Sequence, residues 1–179
     1  QGKLSVLKVF KNENEIQQDY EAELKKEMER EVNYLQQYLA KKGVKAQKTK
    51  NGTFVEIQTI GDTATAKADS GKQVTIMYKG YVLESNKVFD TNMDTTKGHN
   101  EPLQLVLGQG RVIPGWEEGI PYFGKGGKGK LYIPAMMGYG MQGAGADIPP
   151  YANLIFEVQV TDVKPAPAQS NQTLPQSFK

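Results

Sequence analysis

Between Thr49 and Val163 the chain keeps the two-residue apolar rhythm of strands and breaks it once, at "IPGWEEGIPYF", residues 113–123. Within that break Trp116 and Ile120 stand four apart, which is helical spacing. Pro114 suits a first helical position, and Glu117 and Glu118 complement the positive end of a helix dipole. On either side the strands are plain. "TFVEIQTI" puts Phe54, Glu56, Gln58 and Ile60 on one side and Val55, Ile57 and Thr59 on the other. "QVTIMYKGYVLE" runs to a tight turn at Ser85-Asn86 that leads to "KVFD", and "LQLVL", "KLYI" and "NLIFEVQV" complete the set. Antiparallel strands with one short helix against them make an α+β domain.

Ahead of this region, Asn12 to Gly43 reads as one helix. Asn14 is the expected cap, with Gln17 in capping-box spacing. Apolar residues recur at Ile16, Tyr20, Leu24, Met28, Val32, Leu35 and Leu39, Lys41 and Lys42 fill the last turn, and Gly43 supplies the stop. About 30 residues give a rod of roughly 45 Å, longer than a small domain covers, so part of it is expected to project. The stripe suits either a dimerisation seam or docking against the chain's own domain, and spacing leaves both open. The expected organisation is a helical arm over 1–48, a folded domain over 49–163 and a polar, proline-bearing tail over 164–179.

Composition removes several functions. Lysines and arginines are mixed with acids, for a net charge of +2, which points to neither nucleic acid nor a membrane surface. Without cysteine there are no disulfides and no thiolate chemistry. The one histidine, His99, lies in "TTKGHNEP" with no second ligand nearby, so no metal site is expected. No apolar run reaches spanning length. "GIPYFGKG" imitates the start of a phosphate loop, but Gly126 stands where a hydroxyl must hold magnesium and the stretch follows a helix; nucleotide binding is rejected. The chain starts at Gln1 and not at methionine, which reads as a processed or trimmed start.

What remains is a set of apolar and aromatic residues at changes of chain direction: Phe89-Asp90 at a strand end, Val112-Ile113 before the tryptophan, Tyr139 in "GYG", and Ile148 before Pro149-Pro150. With "VTIMYKGYV", "KVFDT", "VLGQGRVIPGWEEGI", "GKLYIP" and "DIPPYANLIFEVQV" in this order, the chain resembles the FKBP family of peptidyl-prolyl cis–trans isomerases from about Gly71 to Val163, more faintly from Thr49. The resemblance implies a curved antiparallel sheet wrapped around the Trp116 helix, with an apolar pocket between them. Trp116 would be the pocket floor, and Tyr78, Phe89, Val112, Ile148 and Phe156 its walls, with Leu103 at a wall position that is often aromatic. The Ile113 N–H and the Tyr139 hydroxyl would bond substrate carbonyls. Asp90, held by Tyr78 or another local donor, would orient or polarise the bound amide.

By the same resemblance the partners are proline-containing polypeptides and macrolide inhibitors of the family, with no cofactor. A homodimer through the N-terminal helix is a further expectation. A helical arm ahead of this domain is similar to cell-envelope bacterial members, which implies a periplasmic or envelope location, with a cleaved signal or lipid anchor compatible with the start at Gln1; the alternative is the cytoplasm. The rival function is a binding module or holding chaperone that grips clients with the arm. The loop "TNMDTTKGHNEP" is longer than in the smallest members and could form a rim. Leu174-Pro175 is an apolar-Pro pair of the kind the family accepts, and so a candidate occupant of a pocket in its own chain or a neighbour's.

Overall fold

The computed structural model describes residues 8–168, so the Leu174-Pro175 pair lies outside the described residues. In chain order the elements are α1 (Glu13–Lys42), β1 (Gln47–Lys48), β2 (Phe54–Thr59), β3 (Asp62–Lys67), β4 (Lys72–Val82), β5 (Val88–Thr91), β6 (Leu103–Val106), α2 (Pro114–Gly119), β7 (Gly124–Lys125), β8 (Lys128–Ile133) and β9 (Leu154–Pro165). Seven strands form one antiparallel sheet in the order β1-β2-β8-β9-β4-β5, with β6 pairing β4 beside β5; β3 and β7 make a separate pair. The register between β4 and β9 shifts at Thr75/Ile76. A bulge there bends the strands and increases their twist, as a sheet that wraps a helix requires.

Alternation along the strands sorts the side chains onto two faces. Val55, Val74, Ile76, Leu131, Leu154, Val158 and Val160 point to the main core, where they meet Trp116, Ile120 and Phe123. Their neighbours Phe54, Tyr132 and Ile155 point the other way and pack with Leu83, Leu35 and Leu39. The partition expected for "TFVEIQTI" holds: Val55 faces the α2 side and Phe54 faces α1. Gly115 and Gly119 explain how α2 seats so closely. A Cβ at Gly115 would lie 2.5 Å from Ile133 Cγ2, and one at Gly119 would lie 2.6 Å from Leu131 Cδ2. The glycines on either side of the tryptophan are the surface by which its helix rests on β8.

The start of α1 differs from the reading above. Asn12, not Asn14, is the cap: its side chain accepts from Glu15 N at 3.0 Å, and Glu15 reaches back to Lys11 N at 2.8 Å. Asn12 has the extended backbone a cap needs, whereas Asn14 is already helical. Gly43 ends the helix with φ 66°, as expected. The apolar stripe is divided. Leu35 and Leu39 are buried on the sheet, with Val32 packed alongside them and Met28 against the main core. Ile16 and Tyr20 are about half exposed. Burying the two leucines is worth about 1.5–3 kcal/mol each, so the second half of the rod belongs to the body and the first half projects.

Candidate active site

The walls of the site come partly from the sheet, through Tyr78, Phe89, Leu103 and Phe156, and partly from the connections before α2 and after β8. Trp116 is 3% exposed and lies under a cavity of about 380 Å³ lined by Tyr78, Phe89, Asp90, Leu103, Gly110, Arg111, Val112, Ile113, Tyr139 and Phe156. The aromatic rings meet edge to face. Trp116 lies 5.4 Å from Tyr78 at 81° and 5.2 Å from Phe156 at 88°, and Phe89 lies 5.4 Å from Phe156 at 81°. Edge-to-face pairs fix one another's orientation beyond what buried area alone would do. Gly80 on β4 makes room for two of these rings, because a Cβ there would approach both Phe156 and Phe89 to 2.6 Å.

Ile148 departs from expectation. It is 6% exposed, belongs to the main core and does not line the cavity. Its backbone pairs with Ala144, Ile148 N–H donating to Ala144 O at 3.2 Å and Ala144 N–H to Ile148 O at 2.8 Å. That two-way bridge closes the 144–148 loop on itself and seats the isoleucine in the core. The other residues expected at the pocket all line it. Arg111 and Gly110 join them unforeseen.

The polar groups cluster at one side of the mouth. Tyr78 Oη donates to Asp90 Oδ2 at 2.5 Å, and His99 Nε2 lies 2.8 Å from Asp90 Oδ1. Burial by itself pushes the Asp90 carboxyl up. Those two hydrogen bonds and the imidazole more than reverse it, so the group titrates below its ordinary value and is a carboxylate at neutral pH. Burial, then the Asp90 charge, push the Tyr139 hydroxyl up, so it keeps its proton to donate. Burial and the bond to Asp90 do the same for Tyr78. The Ile113 carbonyl accepts from Trp116 N at 3.0 Å and Glu117 N at 3.3 Å, while no described hydrogen bond uses the Ile113 N–H.

The two acids after the tryptophan do more than complement a dipole. Glu117 accepts from Gly108 N at 2.6 Å and Gly110 N at 3.1 Å, which pins the rim beside Arg111 and Val112. Glu118 accepts from Thr49 Oγ1 at 2.5 Å and Asn51 N at 3.1 Å, which ties α2 to the β1–β2 connection. Both contacts bridge residues whose spacing gives no local signal.

A family model described as FKBP-type peptidyl-prolyl cis-trans isomerase matches residues 64–161, more than half of the chain. The chain belongs to this isomerase family. An FK506-binding protein of Neisseria meningitidis serogroup C is 44% identical over 107 residues, covering 60% of this chain and 94% of that one. A probable FKBP-type peptidyl-prolyl cis-trans isomerase of Haemophilus influenzae is 40% identical over 124 residues, 69% of this chain and 48% of its own length. Among solved structures, the crystal structure of FkpA from Escherichia coli superposes with a TM-score of 0.62 at 32% identity, covering 87% of this chain and 69% of that one. That match extends well beyond the 64–161 region. The FKBP-type chain therefore has its sheet, its short helix and its long N-terminal helix in a known arrangement.

Proposed function

We propose that this chain accelerates rotation about X-Pro bonds in unfolded or partly folded polypeptides by holding the amide in the cavity over Trp116. The reaction needs no nucleophile. Resonance opposes rotation with a barrier of roughly 18–20 kcal/mol, and the planar amide carries the charge separation that water stabilises. A dry, ring-walled site withdraws that solvation and favours the twisted amide over either planar form. A millionfold acceleration corresponds to about 8 kcal/mol. Desolvation by Trp116, Tyr78, Phe89, Leu103, Val112 and Phe156 supplies part, and oriented donors the rest: the Tyr139 hydroxyl and the Ile113 N–H, each to a substrate carbonyl. Asp90 stays charged at the rim and orients the amide. The single observation that carries this reading is the open cavity above a tryptophan ring, bordered by Phe89 and Tyr139. Refolding of a protein limited by one X-Pro isomerisation tests it: the slow phase should quicken in proportion to added chain, and a macrolide of the family should abolish the effect. A slow phase unmoved by stoichiometric protein would refute it.

A second reading adds client holding or self-association by the arm, favoured by the exposed Val9, Phe10, Ile16 and Tyr20 on and just ahead of the projecting half of α1. Among the described residues no helix is long and apolar enough to cross a membrane. The order of arm and isomerase body resembles cell-envelope members of the family, and that compartment is our reading for this chain; fractionation of the source cells checks it.

A further inference from the structure

The Asp90 carboxylate is gripped at both oxygens. Tyr78 occupies Oδ2, and Oδ1 faces the one histidine of the chain, His99, at 2.8 Å. We propose that His99 is a positioning residue of the isomerase site, fixing the direction of the Asp90 carboxylate through the oxygen that Tyr78 leaves free. The inference rests on the isomerase reading above and assigns a task to the long connection between β5 and β6.

That connection is built to return the imidazole to the pocket. Asn92 is fully buried; its side-chain carbonyl accepts from Tyr78 N at 2.6 Å, and its amide donates to Ile76 O and Glu101 O at 3.0 Å each. One residue thus fastens both ends of the connection to β4. Between those ends, Thr96 N donates to Asp94 Oδ1 at 2.9 Å, a local turn made by an aspartate side chain. Gly98 N then donates to Thr95 O at 3.0 Å, with φ 84° at Gly98. This left-handed residue, which favours glycine, comes directly before His99 and reverses the chain toward Asp90.

The chemistry of the contact follows from the carboxylate. An ionised Asp90 only accepts, so the nitrogen facing it must carry a proton: the Nε2–H tautomer when the ring is neutral, or the imidazolium. Either form donates to the carboxylate. Tyr78 from β4 bonds Asp90 and Tyr139 from the loop after β8 feels its charge, while Arg111 from the rim ahead of α2 lines the same cavity. The side chains of His99 and Asp90 are 44% and 39% exposed, and a pair that open contributes little to folding stability. Its effect falls on where the carboxylate points.

The test uses the full chain and a Leu-Pro peptide. His99→Phe should lower kcat about three- to tenfold, the worth of one hydrogen bond, while KM and the melting temperature hold. His99→Gln places an amide donor near the position of Nε2 and should restore most of the loss. Nitrogen-15 spectra of the imidazole supply a reading independent of activity. Where the ring is neutral the wild type should show the Nε2–H form, and Asp90→Asn should turn it into a mixture of tautomers. Unchanged kcat in His99→Phe, no rescue by glutamine, or a tautomer indifferent to Asp90→Asn would each overturn the proposal. A wild type without isomerase activity would overturn the underlying reading, and this one with it, even where the nitrogen signature is present.

Discussion

Trp116 combines two demands in one side chain. Its ring is the base of the cavity and also the hub of the Tyr78 and Phe156 edge contacts, while its indole N–H is buried without a partner among the described residues. Truncation to alanine should therefore cost about 3–5 kcal/mol as well as activity, so thermal melting and turnover fall together. Tyr139→Phe separates the two. Tyr139 is 41% exposed, so stability should stay within about 0.5 kcal/mol, while kcat/KM drops about three- to tenfold for one lost hydrogen bond; melting curves and peptide kinetics on the same sample check both. Gly80→Ala tests the ring packing from behind. Its methyl would strike Phe89 and Phe156, costing about 1–3 kcal/mol of overpacking, and should raise KM by displacing the wall. At this scale the floor and most walls were legible because apolar residues at turns of direction stand out. Ile148 misled, since a residue before two prolines looks like a pocket lip when its backbone bridge to Ala144 is unseen. His99 was missed because a nine-residue spacing from Asp90 says nothing until the turns at Asp94 and Gly98 fold the loop.

Elements show a similar division. The strands with clear alternation and the helix around Trp116 could be read directly. β3, with its run of threonines and alanines, and the two-residue β1 and β7 carry too little apolar contrast to register. The long helix was legible in extent but not in destination, because one stripe serves docking at Leu35 and Leu39 and exposure at Ile16 and Tyr20. Its joint with the body contains an anomaly. Glu31 is 5% exposed; Oε2 accepts from Met136 N at 2.9 Å, and Oε1 is buried without a hydrogen-bond partner among the described residues. Glu27, Arg30, Glu84 and Tyr151 line the adjoining cleft. Burial chiefly, opposed by the Met136 bond and aided by the Glu27 charge, pushes the Glu31 carboxyl up to about 7 from its usual 4.5. Stability from this group is therefore full below about pH 4.5 and is lost as pH rises through 7. The whole shift is worth about 3 kcal/mol. Denaturation at pH 5 and pH 8 should show the wild type weakening across that interval and Glu31→Gln losing the same slope; equal slopes in both would rule the joint out.

The molecule as a whole couples an isomerase body to a rod half fastened on it. Deleting residues 1–43 would uncover Phe54, Leu83, Tyr132 and Ile155, so that cut confounds arm function with collapse of the outer face. Deleting residues 1–24 spares Met28, Val32, Leu35 and Leu39, which dock the rod. Turnover of a short peptide should stay within about twofold, because no residue of α1 lines the cavity, while suppression of client aggregation, or a dimer seen by sedimentation, should fall. If neither falls, the arm reading is lost and the isomerase reading stands. On our proposal, the cavity over Trp116 lowers the barrier to X-Pro rotation. Exchange NMR on a Leu-Pro peptide measures that barrier without coupling enzymes. Catalytic amounts of the chain should bring cis–trans exchange from tens of seconds or longer into the sub-second range, and exchange that stays at the uncatalysed rate would contradict the account.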